Sequence, residues 1–451
     1  MNPSTKTRSL RETHGGWLVS DVSSLLSRIH HVLFGKWERF FLVFALSITC
    51  AGLPDLVQAQ SYDMLIKGGH VIDAKNGIDE VMDVAVTGDR IARVAKDIPA
   101  SEAAQVVQAN GLYVTPGLID VHAHVFVGPE PGRFADGFSS VSPDDFTLRN
   151  GITTVVDPGN SGWRNFEQFY HQVIEPSHTR VLAFINLVGH GLYGTEYNND
   201  RSDMDSEKTL QVMRAWPDHI VGIRFGHYAA ENYLEPLDQA MQVAREAGTP
   251  FQLECNLPHL DVEDVLSRME PGDIFTHSYE PGRRSLLTED GDIQAYVWEA
   301  RDRGILFDVG HGGGSFRFAQ AIPSVEQGFW PDTFGTDLHR FSMNDGMKDM
   351  VNVMSKFINM GMSLQDAIER ASWRSAQSIQ REDLGHLSVG AVADLAVFRM
   401  EEGAFGFVDS REFKMDGDRK LTAELTLRAG RVVWDLNGLA ATPWEMDQVN
   451  R

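Results

Sequence analysis

Short apolar runs separated by turn residues occur near both ends of the chain. Residues 64–66 and 81–86 are such runs at one end, and residues 393–398 and 425–434 are their counterparts at the other. Runs of this length, bounded by Gly, Asn or Asp, are typical of antiparallel β-strands. We therefore predict a small β-sandwich domain formed by both ends of the chain.

The middle of the chain has a different pattern, in which short apolar runs are separated by segments of helical periodicity. Such alternation is typical of β-α units arranged around a parallel sheet. Eight units predict an α/β fold, a (β/α)8 TIM barrel, with the active site at the carboxyl ends of its strands. The predicted strands are residues 118–125, 153–156, 181–188, 220–225, 251–255, 274–277, 305–309 and 334–337.

The first 59 residues have the pattern of an export leader. An apolar run at residues 40–53 follows Lys36 and is shorter than the ~20 residues that cross a bilayer. Val57 and Ala59 stand at the minus-three and minus-one positions of a small-residue cleavage site. We expect a periplasmic or secreted mature chain that starts at Gln60 and keeps no stable membrane anchor. The predicted segments are 1–59 (signal peptide), 60–115 (first part of the sandwich), 116–384 (barrel) and 385–451 (second part of the sandwich, and tail).

Composition narrows the class of protein. Hydrophobic residues make up 42% of the chain and charged residues 23%, which is typical of a globular protein rather than a disordered one. The formal net charge of -23 would repel a phosphate backbone, so a nucleic-acid partner is not expected. After the leader, Cys255 is the only cysteine, which excludes an intrachain disulfide in the mature chain.

Polar residues with metal-binding chemistry stand at the predicted strand ends. His122 and His124 are two residues apart on the first strand, so their side chains should face the same side, the barrel lumen. His277 ends the sixth predicted strand and Asp337 ends the eighth. Because imidazole and carboxylate groups are Zn²⁺ ligands, this set predicts a metal site.

Several longer motifs surround these residues. They are Val-Thr-Pro-Gly-Leu-Ile-Asp-Val-His-Ala-His at 114–124, Thr-His at 276–277, Gly-Thr-Asp-Leu-His at 335–339 and Gly-Ala-Val-Ala-Asp-Leu at 390–395. With them, nearly the whole chain after the leader resembles the metal-dependent amidohydrolase superfamily. Segments 307–312 and 328–333 are similar to its deacetylase and dihydroorotase-like branch, which hydrolyses acyl amides or esters.

The resemblance implies a divalent metal, usually Zn²⁺, with His122, His124, His277 and Asp337 as ligands. In this superfamily the metal lowers the pKa of a water molecule, which then attacks the substrate. Asp337 would take the proton of that water and return it to the leaving group, as general base and then general acid.

Two positions depart from the pattern of the branch. The fourth strand has Arg224 at a position where this branch commonly has a Lys, and that Lys becomes carboxylated and bridges two metals. The fifth strand has Glu254 at a position where a His is common. An Arg cannot be carboxylated or bind a cation. Either Glu254 is a metal ligand, or it pairs with Arg224 and the pair fills the place of a second ion. We favour the second interpretation and one ion; two ions bridged by Glu254 remain the alternative.

Further polar residues are candidates for substrate contact. These are His190 after the third strand, His311 after the seventh, His339 two residues beyond Asp337, and Arg224. His227 is a candidate substitute ligand. For each histidine the competing interpretation is an ordinary hydrogen-bonded loop residue.

The predicted function is that of an exported hydrolase that cleaves an amide or ester bond in a small acylated molecule. A cyclic-amide hydrolase or a deaminase of the same superfamily is one alternative, since such relatives share the first-strand and eighth-strand residues. A metal-free binding protein, in which Arg224 and Glu254 have replaced the metal chemistry, is another. The sequence leaves the oligomeric state open, with a homo-oligomer formed through the barrel helices as one alternative.

Overall fold

Strands follow one another directly at the two ends of the chain and alternate with helices through its middle. The computed structural model describes residues 60–126, 139–192, 195–254, 257–444 and 446. The strands are β1 (Tyr62–Asp73), β2 (Ile78–Thr87), β3 (Arg90–Ala95), β4 (Ala103–Gln108), β5 (Tyr113–Pro116), β6 (Leu118–Asp120), β7 (Ile152–Gly162), β8 (Arg180–Asn186), β9 (Ile220–Phe225), β10 (Phe251–Glu254), β11 (Ile274–Thr276), β12 (Leu306–Phe307), β13 (Leu395–Val408), β14 (Lys414–Arg428) and β15 (Arg431–Asp435). The predicted leader and Cys255 lie outside the described residues.

One sheet joins the two ends of the chain. Its strand order is β15-β14-β13-β5-β1-β2-β3, and β4 pairs with β1. Strand β5 is the junction, because Val114 lies opposite Val71 of β1 and Val397 of β13. Apolar side chains from β1 to β5, β13 and β14 form one buried cluster, so strands distant in sequence share a core. A β region built from both ends is therefore observed, as one continuous eight-stranded sheet.

The second sheet is parallel and curls into a barrel. Its order, β12-β11-β10-β9-β8-β7-β6, follows the chain in reverse. The predicted eighth strand is an irregular segment that bonds to both neighbours. The Val309 amide donates to the Thr333 carbonyl at 3.2 Å, and the Asp337 amide donates to the His122 carbonyl at 2.7 Å. These bonds close the sheet between β12 and β6.

Helices follow most strands of the barrel. Asp205, Asp261 and Asp349 begin three of them by accepting a hydrogen bond from an amide of the first turn, which stabilises an exposed helix start. No helix in the described ranges is both long enough and apolar enough to cross a membrane. The helices are α1 (Phe166–Phe169), α2 (Thr195–Asn198), α3 (Ser206–Ala215), α4 (Leu234–Ala247), α5 (Val262–Arg268), α6 (Ala295–Asp302), α7 (Phe318–Glu326), α8 (Met350–Asn359), α9 (Leu364–Ala371) and α10 (Trp373–Ser378).

Candidate metal centre

The residues predicted as ligands meet at the carboxyl end of the barrel. His122 and His124 lie just beyond β6, which ends at Asp120 rather than at residue 125 as predicted. His277 follows β11 directly, and Asp337 lies in the closing segment. All four side chains are buried. The barrel thus brings together residues separated by more than 200 positions in the sequence.

The backbone at this site adopts conformations that are rare for residues with a side chain. His277 has φ 68° and Asp337 has φ 50°, both in the left-handed region. Such a conformation costs on the order of 1–3 kcal/mol and persists only where surrounding structure enforces it. At His277 the left-handed conformation follows the end of β11, so the strand stops one residue before the predicted end at 277.

Hydrogen bonds fix the proton of each imidazole on its Nδ1 atom. Nδ1 of His277 lies 2.6 Å from the Gly310 carbonyl oxygen, which can only accept. The Thr276 hydroxyl donates to Asp308 at 2.7 Å, so its oxygen accepts from Nδ1 of His122 at 3.1 Å. A proton on Nδ1 leaves a lone pair on Nε2, which is the form that binds a metal.

The outer partner of His124 completes this arrangement. The Asn160 side-chain nitrogen donates to the Ser140 hydroxyl at 2.7 Å, and its oxygen accepts from Nδ1 of His124 at 2.6 Å. Partners of this kind orient metal-binding histidines in known sites. Asp120 and Asp308 are the buried carboxylates of this outer layer; the Thr336 hydroxyl and amide donate to Asp120.

The Nε2 atoms converge on the carboxylate of Asp337. Nε2 of His124 is 3.0 Å and Nε2 of His122 is 3.5 Å from Oδ1 of Asp337. Nε2 of His122 is buried and has no hydrogen-bond partner among the described residues. The donor atoms of these three residues lie within 4.8 Å of one another, and His122, Glu254 and His277 form a second such group.

Burial sets the charge of these groups. It lowers the pKa of His122 well below its usual value, which keeps the ring neutral. Burial opposes ionisation of Asp337, but the neighbouring imidazoles hold the pKa of this carboxyl well below its usual range. A neutral imidazole at His122 and an ionised carboxylate at Asp337 are the forms in which these two side chains can bind Zn²⁺.

Arg224 and Glu254 form an ion pair beside this centre. Both side chains are buried, and Nη2 of Arg224 contacts Oε2 of Glu254. The other carboxylate oxygen, Oε1, lies 2.8 Å from Nε2 of His227 and 3.5 Å from Nε2 of His277. Burial lowers the pKa of Arg224 to about 9, so the guanidinium remains charged at neutral pH.

A cavity of about 540 Å³ opens over the centre. Of the four predicted substrate contacts, His339 lines it. The other three are not among the residues that line it. His190 is 41% exposed and pairs with Asp203, whereas Arg224 and His311 are fully buried, each held by its own partners. The lining residues are His124, Ser139, Leu192, Asn198, His227, Glu254, His277, Glu280, Gly313, Gly314, Ser315, Asp337, His339, Phe341 and Asp345.

Sequence reasoning missed the outer layer of the centre. Thr276, Asn160, Asp120 and Asp308 hold the histidines or the loops around them, yet none was predicted as functional. The sequence did contain one signal for these residues, since Asp120 and Asp308 each place a carboxylate inside an apolar run. A buried carboxylate requires hydrogen-bond partners, and that requirement could have drawn attention to both.

Comparison with known proteins places this chain in a family. Residues 317–426 match the model of the amidohydrolase family. A protein named deacetylase from Brucella anthropi is 31% identical over 339 residues, which cover 74% of this chain and 83% of that protein. A crystal structure of an adenine deaminase has a TM-score of 0.76 at 26% identity, and the match covers 83% of this chain and 100% of the deaminase chain.

A crystal structure of a dihydroorotase is similar to the same extent. Its TM-score is 0.73 at 26% identity, and the match covers 82% of this chain and 99% of the dihydroorotase chain. The chain belongs to the metal-dependent amidohydrolase superfamily, in its deacetylase and dihydroorotase-like branch.

Proposed function

We propose that this amidohydrolase cleaves the amide or ester bond of a small acylated molecule, as a deacetylase does. The observation that carries the proposal is the convergence of imidazole Nε2 atoms, each with its proton fixed on Nδ1, on the ionised Asp337. The name of the Brucella anthropi relative supports the choice of an acyl substrate. A cavity of about 540 Å³ has room for a small molecule.

The residues present fit a divalent ion. Nε2 of His122 is a buried lone pair with no hydrogen-bond partner in the described structure, and such an atom is costly to bury unless it binds something. His122, His124 and Asp337 would hold the ion, with His277 beside them. When bound, a divalent ion such as Zn²⁺ supplies a Lewis acid that polarises a carbonyl oxygen and lowers the pKa of water.

One ion suits the site better than two. Oε2 of Glu254 contacts the guanidinium of Arg224, and Oε1 faces His227 at 2.8 Å. Both carboxylate oxygens therefore have a nitrogen atom of another side chain as a close neighbour. A second divalent ion would also be repelled by the charged Arg224 in surroundings of low dielectric constant. We propose that the Arg224–Glu254 pair stands in place of a second metal.

Asp337 is the proposed general base and general acid. Its Oδ1 faces His122 and His124, while its Oδ2 faces His339. Being ionised, the carboxylate can accept a proton from the attacking water and return it to the departing amine or alcohol.

His339 has the opposite proton assignment from the ligands. Its Nδ1 accepts hydrogen bonds from the amides of Phe341 and Ser342, both at 3.2 Å. The neutral ring must then carry its proton on Nε2, 3.9 Å from Oδ2 of Asp337. His339 is thus a hydrogen-bond donor towards Asp337 or the substrate, and not a metal ligand.

Metal content and hydrolysis together test the proposal. The chain from Gln60 would be purified without chelators, its metal measured by elemental mass spectrometry, and its activity assayed on acyl amides and esters. We expect bound metal and hydrolysis in the parent, both lost in His122→Ala. His190→Ala is the matched control and should keep both, because His190 lies outside the cavity. A metal-free parent, or one that turns over no acyl substrate, would contradict the proposal.

A cyclic-amide hydrolase or deaminase is the second candidate. The solved structures named adenine deaminase and dihydroorotase have TM-scores of 0.76 and 0.73 against this chain. Ammonia release from amino-purines, or ring opening of cyclic amides, by a protein inactive on acyl amides would favour this candidate.

We also propose that the protein is exported. The support is the leader pattern of residues 1–59, with Val57 and Ala59 before the cleavage point. N-terminal sequencing of the full-length product from a Gram-negative host should give a chain starting at Gln60; an uncleaved cytoplasmic product would refute export.

A further inference from the structure

A lysine is buried in α8, outside the metal centre described above. Lys356 is fully buried, and burial lowers its pKa to about 7. Its Nζ donates to the Gly346 carbonyl at 2.6 Å and lies 2.7 Å from Nε2 of His311. A buried amine is costly unless its hydrogen bonds are made, and here both partners belong to loops at the carboxyl end of the barrel.

The proton of His311 can be assigned from its surroundings. Its Nδ1 lies 2.9 Å from the Gly312 carbonyl oxygen, which can only accept, so Nδ1 carries the proton. Burial lowers the pKa of His311 well below its usual value, so Nε2 is unprotonated and accepts from Lys356. The ring also stacks on Phe316 at 4.5 Å. Lys356, His311 and Gly312 thus form one chain of hydrogen bonds.

The glycines on either side of His311 touch two residues of the metal centre. The Gly310 carbonyl accepts from Nδ1 of His277 at 2.6 Å. A Cβ atom at Gly312 would lie only 2.1 Å from Oδ2 of Asp337, so the backbone there passes directly against this carboxylate. Both glycines have positive φ, 48° and 50°, which glycine adopts without steric cost.

We propose that Lys356 is a positioning residue of the metal centre: it holds His311, and His311 holds the turn at residues 310–312 against His277 and Asp337. These are the two residues of the centre whose backbone is left-handed. Such conformations need support from their surroundings, and the turn provides it. The inference rests on the proposed function, because it takes His277 and Asp337 as parts of a metal site.

Two variants remove this chain of bonds at different points. Lys356→Met keeps a side chain of similar length without a donor, and His311→Phe keeps a ring stacked on Phe316 without the bonds. We expect each to release Zn²⁺ to a chelator at least ~10-fold faster than the parent, as for other residues that orient metal ligands. The double variant should release it no faster than the faster single variant, because both changes remove the same link.

A control on the same helix separates positioning from general destabilisation. Met354 is fully buried in the apolar core, and Met354→Ala opens a cavity there without removing these hydrogen bonds. It should lower the thermal midpoint but leave both the chelator release rate and the visible spectrum of the Co²⁺-loaded protein as in the parent. Lys356→Met should change that spectrum.

The outcomes distinguish this inference from the proposed function. A parent that binds no metal would refute both. A parent that binds metal, with Lys356→Met and His311→Phe releasing it at the parental rate, would refute the positioning role alone. If Lys356→Met does not fold, His311→Phe decides, because it retains the ring and the stacking contact.

Discussion

Two regions at the carboxyl end of this barrel each contain a buried carboxylate, but the carboxylates have different partners. In one region, the metal-binding half, Nε2 atoms of His122 and His124 face the carboxylate of Asp337. In the other, the carboxylate of Glu254 is neutralised by the guanidinium of Arg224. The comparison shows two surroundings for a buried carboxylate: imidazole nitrogens face Asp337, whereas a guanidinium contacts Glu254.

The largest expected effect lies in the metal-binding half. Asp337→Asn removes the group proposed to transfer protons, and kcat should fall by about 10²–10⁴-fold. Asp345→Asn also alters a carboxylate that lines the cavity and should have a much smaller effect. Steady-state kinetics with metal content measured in parallel would check this; equal losses in the two variants would show that Asp337 has no special role.

Breaking the ion pair between Arg224 and Glu254 should lower the stability of the fold more than the catalytic rate. Glu254→Gln removes the carboxylate that contacts the buried Arg224 cation, and breaking a buried pair costs about 3–5 kcal/mol in the free energy of unfolding. The exposed pair Lys96 and Glu80 gives the control, since Glu80→Gln should cost no more than about 1 kcal/mol. Urea unfolding measures both changes, and similar small losses would contradict a buried, charged Arg224.

Replacing the Arg224–Glu254 pair with the residues common in this branch should create a second metal site. Arg224→Lys combined with Glu254→His introduces the residues common in this branch and replaces the permanent cation with a lysine that can be carboxylated and so lose its positive charge. Elemental analysis should show a rise from about one ion per chain to about two, as in two-metal sites. Two ions already present in the parent would make Glu254 a ligand and the proposed pairing wrong.

The smallest expected effect concerns the outer layer of the metal-binding half. Thr276→Val removes the oxygen that accepts from His122 and should weaken metal affinity by about 10–100-fold. Thr333→Val is the matched control, because Thr333 donates to the same Asp308 but at its other oxygen. Competition with a chromophoric chelator measures both variants; a larger loss in Thr333→Val would overturn this assignment.

The fold was largely predictable because its signals are local. Apolar runs at residues 220–225 and 274–277 were recognisable as strands, and β9 (Ile220–Phe225) has the predicted bounds. The closing segment at residues 334–337 was harder to predict, because it pairs with its neighbours without forming a regular strand. Its pairing depends on hydrogen bonds to Val309 and His122, which no local pattern records.

The sequence by itself determined which residues could bind a metal, since His122, His124, His277 and Asp337 stand at strand ends and barrel topology gathers such ends at one face. Only the tertiary structure decided what each polar group does. It buried His311 against Lys356, exposed His190 beside Asp203 and paired Arg224 with Glu254. The physical reason is that proton positions, ion pairs and left-handed backbones depend on partners distant in sequence, which meet only when the barrel closes.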